Sequence, residues 1–264
     1  MIILKIGGGE SINIDGVASD IAELSNEKFI IVHGANAYRD KLAKRLNYEK
    51  QTITSVSGYS SVFTDDNALE IQMMAYAGVM NKTIVSLLQQ KGVNAVGLTG
   101  IDGKVIQGKR NAGIRIREDN KMKIIRDHSG KPQSINANLL NLLLDNGYTP
   151  VLTVPIIDEK GKAINSENDD IVAVIQNSMK ADKVIQLIEA PGLLEDKNDD
   201  STLIKNLTVT ELQQREEKVE GRMKRKLLAL TKLFEGGAAE VIIADGRGES
   251  PVKNALADNG TVIK

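Results

Sequence analysis

Short aliphatic runs that end in glycine, each followed by a segment of helical period, constrain this chain more than any other feature. Ile2-Ile3-Leu4-Lys5-Ile6 leads into Gly7-Gly8-Gly9, and Phe29-Ile30-Ile31-Val32-His33 leads into Gly34. Unbroken apolar runs of this length read as strands covered on both faces, the pattern of a parallel sheet. After the first run, Ile14, Val17, Ile21 and Leu24 recur at helical spacing; after the second, a helix capped by Asn36 runs to about Leu46. A long helical pattern from Thr64 to about Gln90 stops at Gly92, and Val93–Leu98 is the third strand. The alternation predicts an α/β fold with a mainly parallel sheet.

Lys5 stands inside the first run, where an unpaired ammonium is costly, so it must reach water or meet an anion. The glycines behind it let backbone approach a ligand and offer unobstructed N–H groups. A core-strand lysine feeding a glycine turn and a helix suits a phosphate; the plainer alternative is an edge strand with a solvated lysine. The lysine precedes the glycines, so this is not a Walker A loop. Asn165 to Asp170 precedes a helix starting near Asp169, and its acids either cap that helix or organise positive groups around a phosphoryl. Gly221-Arg222-Met223-Lys224-Arg225-Lys226 opens another helix, and cations there oppose the helix dipole, which points to an anionic ligand. His33 reads as a satisfied core histidine rather than a general base. Phosphoryl transfer needs positioning and positive charge more than covalent help, and two lysines, an aspartate and glycine loops meet that need.

Between Asp102 and Pro132 the rhythm changes to short alternating segments, Lys104–Ile106, Ile114–Arg117 and Met122–Ile125, which read as antiparallel hairpins set into the α/β frame. Lys104 to Arg126 holds eight Lys or Arg against two acids, a basic face that is either merely solvated or a docking surface. A helix at Asn138–Asn146 and a strand at Val151–Val154 follow. The second half offers helices at Asp169–Met179 and Gly221–Phe234, strands at Val184–Ile188, Val241–Ala244 and Thr261–Ile263, and a polar loop at Asp196–Ser201. No repeat or low-complexity linker separates the halves, so they are expected to share one sheet. Net charge −1 over 264 residues argues against general nucleic-acid binding. The absence of Cys and the presence of two His exclude thiolate sites and disfavour His-rich metal sites. With no apolar stretch of transmembrane length and no leader pattern, the expectation is a cytoplasmic protein that engages no membrane.

At these residues the chain resembles the amino acid kinase family over essentially its whole length. Lys5-Ile6-Gly7-Gly8, Val32-His33-Gly34, Asn81-Lys82, Val96-Gly97-Leu98, Asn165 with Asp169, and Gly221-Arg222-Met223 with Lys226 match its motifs in order. The N-acetylglutamate kinase-like branch is nearest. Within it, Ser57–Ser61, Phe63-Thr64-Asp65, Gly221-Arg222-Met223 and Glu249-Ser250-Pro251 are similar to members that phosphorylate 2-aminoadipate or glutamate whose amino group is blocked by a carrier protein, in lysine and arginine biosynthesis. The resemblance implies an open three-layer αβα sandwich, a homodimer, and Mg2+ carried by ATP with no metal ligand from protein. It assigns residues 1–165 to the acceptor and dimer contacts, with the hairpins at about 102–132, and 166–264 to the nucleotide. Lys5 and Lys226 would neutralise the phosphoryl group and Asp169 would orient them. Gly7, Gly8 and Gly34 would bring N–H groups to phosphates, Gly192 and Met223 would belong to the nucleotide site, and Gly34, Ala35, Asn36, Val62 and Asn165 to the acceptor site. An acidic carrier could dock on the hairpins through Lys109, Arg110, Arg115 and Arg117. Three departures from the family pattern stand out: Ala35-Asn36 follows Gly34 where glycines are usual, Ile188-Glu189 replaces Ser/Thr-Asp, and Val62 replaces an arginine that clamps the acceptor's α-carboxylate. Free N-acetylglutamate is therefore expected to be a poor substrate. Alternative readings are N-acetylglutamate kinase itself, another small-acid kinase of this fold such as one for carbamate, or a non-catalytic nucleotide or amino-acid sensor.

Overall fold

The computed structural model describes residues 1–56, 60–118, 121–196, 198–219 and 221–264; the side chains of residues 60, 118, 221–223 and 225 also lie outside the description. The chain starts with β1 (Ile2–Ile6), α1 (Ile14–Glu23), β2 (Phe29–His33) and α2 (Asn36–Arg45), then pairs β3 (Thr52–Thr54) with β4 (Ser60–Val62). Next come α3 (Asp66–Gln72), a π-helical stretch over Met73–Met80, α4 (Asn81–Gln90) and β5 (Ala95–Thr99). The inserted region holds β6 (Ile106–Arg110), β7 (Ile114–Glu118), β8 (Lys121–Ile125) and β9 (Gly130–Ile135), followed by α5 (Ala137–Asp145), β10 (Thr149–Thr153), β11 (Ile156–Ile157) and β12 (Ala163–Ile164). The remainder is α6 (Asn168–Met179), β13 (Lys183–Ile188), β14 (Asn206–Leu207), α7 (Val209–Lys218), α8 (Gly221–Glu235), β15 (Glu240–Asp245), α9 (Pro251–Leu256) and β16 (Thr261–Ile263).

Eight strands form one sheet in the order β14-β16-β15-β13-β1-β2-β10-β5, parallel except where β15 meets β16. The apolar run of β1 explains its central place: pleating alternates side chains between faces, and both faces are covered. Ile2, Leu4 and Ile6 pack with Val17 and Ile21 of α1, Ile84 and Leu88 of α4 and Val252 of α9. Ile3 packs on the opposite side with Ile171 and Ile175 of α6 and Leu230 and Leu233 of α8. The two clusters are the two outer seams of a three-layer αβα sandwich. Lys5 shares the parity of Ile3 and so emerges on the α6–α8 side. The inserted region is a nested pair: β6 with β9 antiparallel, and the β7–β8 hairpin beyond their end.

Three expectations need correction. Asn36 does not cap α2; Ala35 holds that position without a side-chain cap, because the Asn36 carboxamide oxygen instead accepts the Tyr76 hydroxyl. The helix over 64–90 is not uniform: Asp65 caps α3 by accepting from the Ala68 N–H at 2.7 Å, and the middle widens into π geometry. The segment starting at Lys104 is not strand at first, since residues 102–104 make a 3-10 turn and pairing begins at Ile106. The short strands β3, β4, β11, β12 and β14 and the helices α7 and α9 carry too few apolar positions to announce themselves; α7 is fixed by a Thr208–Glu211 capping box. Ser57–Tyr59 lies outside the described residues.

Candidate active site

Three charged groups meet above the C-terminal end of β1. Lys5 Nζ lies 3.0 Å from Asp169 Oδ1. Asp169 lies in the first turn of α6, where the helix dipole favours an acid, and the N-cap residue Glu167 makes no side-chain capping bond. Lys226 comes from α8, which packs on α6 and is tied to it again by Lys232 and Asp170 at 3.4 Å. Lys226 lies in the second turn of α8 and not the first, so burial rather than the helix dipole governs it. Burial, then the like charge of Lys5, pushes its pKa down to about 8, while Asp169 pulls the other way. Two ammoniums facing one carboxylate leave an excess of positive charge, which a phosphoryl group would balance.

The glycine turns after β1 and β2 touch each other through backbone. A Cβ on Gly8 would stand 2.6 Å from the Asn36 N and 2.7 Å from the Ala35 N, and one on Gly34 would stand 2.8 Å from the Gly8 N. Only glycines allow this approach, and the two turns together form a backbone floor beside Lys5. Ala35, 2% exposed, closes that floor from below. Gly7 is bound into the sheet by donating to Leu187 O at 2.9 Å. Glu189, at a departure position, folds back so that its carboxylate accepts the Ser11 N–H at 2.8 Å. Gly192 is not in the wall of the cavity; it is buried against Thr261, whose hydroxyl oxygen accepts the N–H of the neighbouring Leu193 at 2.8 Å. The side chain of Met223 lies outside the described residues.

Against this floor and Lys5 opens a cavity of about 830 Å3, bounded by Gly8, Gly34, Asn36, Val62, Asn165 and Asp169. Asn165 is locked in place: Gln72 Nε2 donates to its Oδ1 at 2.6 Å, and its own Nδ2 donates to Thr64 Oγ1 at 3.0 Å. Its backbone bridges the start of β9, donating to His128 O at 2.7 Å and accepting from Gly130 at 2.9 Å. With its oxygen taken by Tyr76, Asn36 presents amide N–H donors to the cavity. Val62 contributes no charge, yet Arg39, Arg115 and Lys131 line the same cavity, so the lost arginine does not leave it without cations. That removes the physical ground for expecting weak binding of small blocked acceptors from Val62 alone.

Sequence reasoning missed Gln72, Ser166 and Asn168, which also line this cavity and carry buried side-chain oxygens with no hydrogen-bond partner among the described residues. Ser166 and Asn168 lay within a motif already noted; Gln72 had no signal beyond being polar on the inner side of a helix. His33 is fully buried and neutral, its Nδ1 bonded to Gly34 O and its Nε2 to Asn81 Nδ2, and burial lowers its pKa to about 4. It stabilises the loop and takes no proton. Among the described residues no group of three or more His, Asp or Glu could hold a metal, and no helix is long and apolar enough to cross a membrane.

The sequence profile of the amino acid kinase family matches residues 1–245. The "[LysW]-aminoadipate kinase" of Deinococcus radiodurans is 40% identical over 266 residues, covering 100% of this chain and 91% of that one. Its namesake from Thermus thermophilus is 38% identical over 269 residues and covers both chains completely, at 100% each. Among solved structures, N-acetylglutamate synthase from Neisseria gonorrhoeae superposes with a TM-score of 0.79 at 22% identity, over 99% of this chain and 58% of that one, a likeness of fold.

Proposed function

The chain belongs to the amino acid kinase family, and from that premise we propose that it transfers the γ-phosphoryl group of ATP to the side-chain carboxylate of 2-aminoadipate, or of glutamate, held through its amino group by an acidic carrier protein. The observation that carries this reading is the Lys5–Asp169 pair in the wall of the cavity that Asn36 and Asn165 help to line, with Lys226 near enough for both charges to act on it. A carboxylate oxygen attacks the γ-phosphorus, the bond from phosphorus to the bridging oxygen breaks, and ADP leaves with the electron pair of that bond. The product is an acyl phosphate. The nucleophile is already an anion, so no general base is required, which suits a site whose nearby histidine is buried and neutral. Lys5 and Lys226 meet the charge on the transferring oxygens, Asp169 holds the lysines apart and aimed, and the Gly8–Gly34 floor offers N–H groups. Mg2+ arriving with ATP would spread the charge of the β- and γ-phosphates.

The relatives' names support a carrier-linked acceptor over free N-acetylglutamate. The β7–β8 hairpin supports docking, because Met122 and Ile124 are 54% and 65% exposed and pair across the strands with Arg117 and Arg115. In this reading residues 1–165 serve the acceptor and 166–264 the nucleotide, with Gly7, Gly192 and Met223 on the nucleotide side. A homodimer through the N-terminal half is favoured by Met73, Met74 and Val79, exposed on the π-helical stretch. The Cys-free composition suits a cytoplasmic enzyme. The test is acyl phosphate trapping by hydroxylamine with ATP and Mg2+, run on carrier-linked aminoadipate, carrier-linked glutamate and free N-acetylglutamate. Hydroxamate from the linked acceptors is expected. Turnover of N-acetylglutamate alone would assign the chain to the other branch.

A further inference from the structure

The cations lining the cavity divide by what already neutralises them. Lys5 faces Asp169, Lys232 faces Asp170, and Arg39 donates through Nε and NH2 to Asp40 at 2.9 and 2.7 Å. Arg115 and Lys131 line the cavity with no carboxylate partner among the described residues. The backbone fixes where Arg115 stands. Its carbonyl accepts the Val56 N–H at 2.8 Å, and Ser55 bridges the next residue, Ile116. These bonds lay β7 along the chain leaving β3, and β3 in turn pairs Thr52 with Val62. Lys131 enters from β9, whose first residue, Gly130, is bonded to Asn165.

An acidic amino acid joined to a carrier through its amino group brings two carboxylates into this cavity. The side-chain carboxylate reacts beside Lys5. The α-carboxylate needs its own cation, and Val62 supplies none. We propose that Arg115, with Lys131 lining the same cavity, binds the acceptor's α-carboxylate and sets the specificity for α-amino acids over simple ω-amino acids. The inference rests on the proposed acceptor class. An arginine fork fits a carboxylate bidentately, and a hairpin strand holds it at fixed register, so the hairpin is part of the acceptor site as well as its approach.

The test pairs variants with acceptors that keep the reacting carboxylate and lose only the α-carboxylate. The carrier is charged with glutamate or with 4-aminobutyrate, and initial rates of hydroxamate formation give kcat/KM for each. The parent should prefer glutamate by roughly ten- to a hundredfold, the range for one charge-assisted pair. Arg115→Met should reduce that preference to within about threefold, Lys131→Met should reduce it partially, and Arg115→Lys should retain much of it. Thermal melts establish that each variant is folded. If Arg115→Met keeps the parent's preference, or lowers both acceptors equally, Arg115 contacts the carrier or the fold and the inference is overturned. If Arg39→Met alone abolishes the preference, the carboxylate belongs to Arg39. A parent that makes hydroxamate from both acceptors equally overturns the inference while leaving the kinase reading intact. A parent inactive on every linked acceptor removes both.

Discussion

Lys226 sits half-buried near Lys5, and burial first, then that like charge, lowers its pKa from the ordinary 10.5 to about 8. Because the folded value is the lower one, the buried charge destabilises the fold at neutral pH, and that cost is relieved as pH rises from about 8 to about 10.5. Lys226→Met should therefore melt no lower than the parent at pH 7, and its melting temperature should rise less between pH 8 and 10.5, which calorimetry across pH checks. In the proposed phosphoryl transfer the same lysine acts protonated. Its removal is expected to lower kcat by about a hundred- to a thousandfold while ATP affinity changes within about tenfold, since Lys5 and the glycine N–H groups still hold the ground state. For the parent, kcat/KM for ATP should fall above about pH 8, and the limb in kcat should lie at higher pH, because bound phosphates restore the proton. An unshifted limb, or a variant with most of its turnover, would transfer the role to Lys224. Lys5 was legible as a buried cation in a core run; the depressed pKa of Lys226 was not, because it depends on packing between α6 and α8 that no local pattern records.

The inserted hairpins show how charge read from sequence divides once strands are formed. Arg110 donates its Nε–H to Asp127 O at 2.9 Å, and Arg115, although exposed, borders the cavity, so two of the four proposed docking residues have other neighbours. Lys109 and Arg117 remain exposed. Reversing both to Glu should slow association with an acidic carrier by about tenfold at low salt and flatten its salt dependence, measured by stopped flow. Turnover of a small blocked glutamate should hold; equal loss on both substrates would place these residues in folding instead. Alternation and Gly or Asp-Asn turns made the β7–β8 hairpin readable. The β6–β9 pair was only half readable, since β9 includes Pro132 and a polar run whose partner lies on the far side of the hairpin. The π-helical stretch over Met73–Met80 was invisible, because its composition is that of an ordinary apolar helix.

At the scale of the molecule, aliphatic runs ending in glycine gave the parallel strands, and Thr261–Ile263 was placed to the residue, because burial on two faces leaves few other places for such runs. The strand order was beyond reach, since it depends on long-range pairing. That order puts β1 between β2 and β13, with Ile2 to Ile6 in register against Lys183 to Leu187. The proposed division at residue 165 is thus one of tasks and not of folding. A fragment of residues 1–165 should show no cooperative thermal transition, because β1 would keep one bare edge; a sharp reversible melt by circular dichroism would contradict this. The same register has a consequence for synthesis. Met1 and Asp182 are bonded across 181 residues, so at about 5–20 residues per second the strand carrying Lys5 waits roughly 10–40 s for its second neighbour to leave the ribosome. The lysine proposed to meet the phosphoryl group is thus made well before the strand that completes its place in the sheet, and through that interval β1 has an open edge.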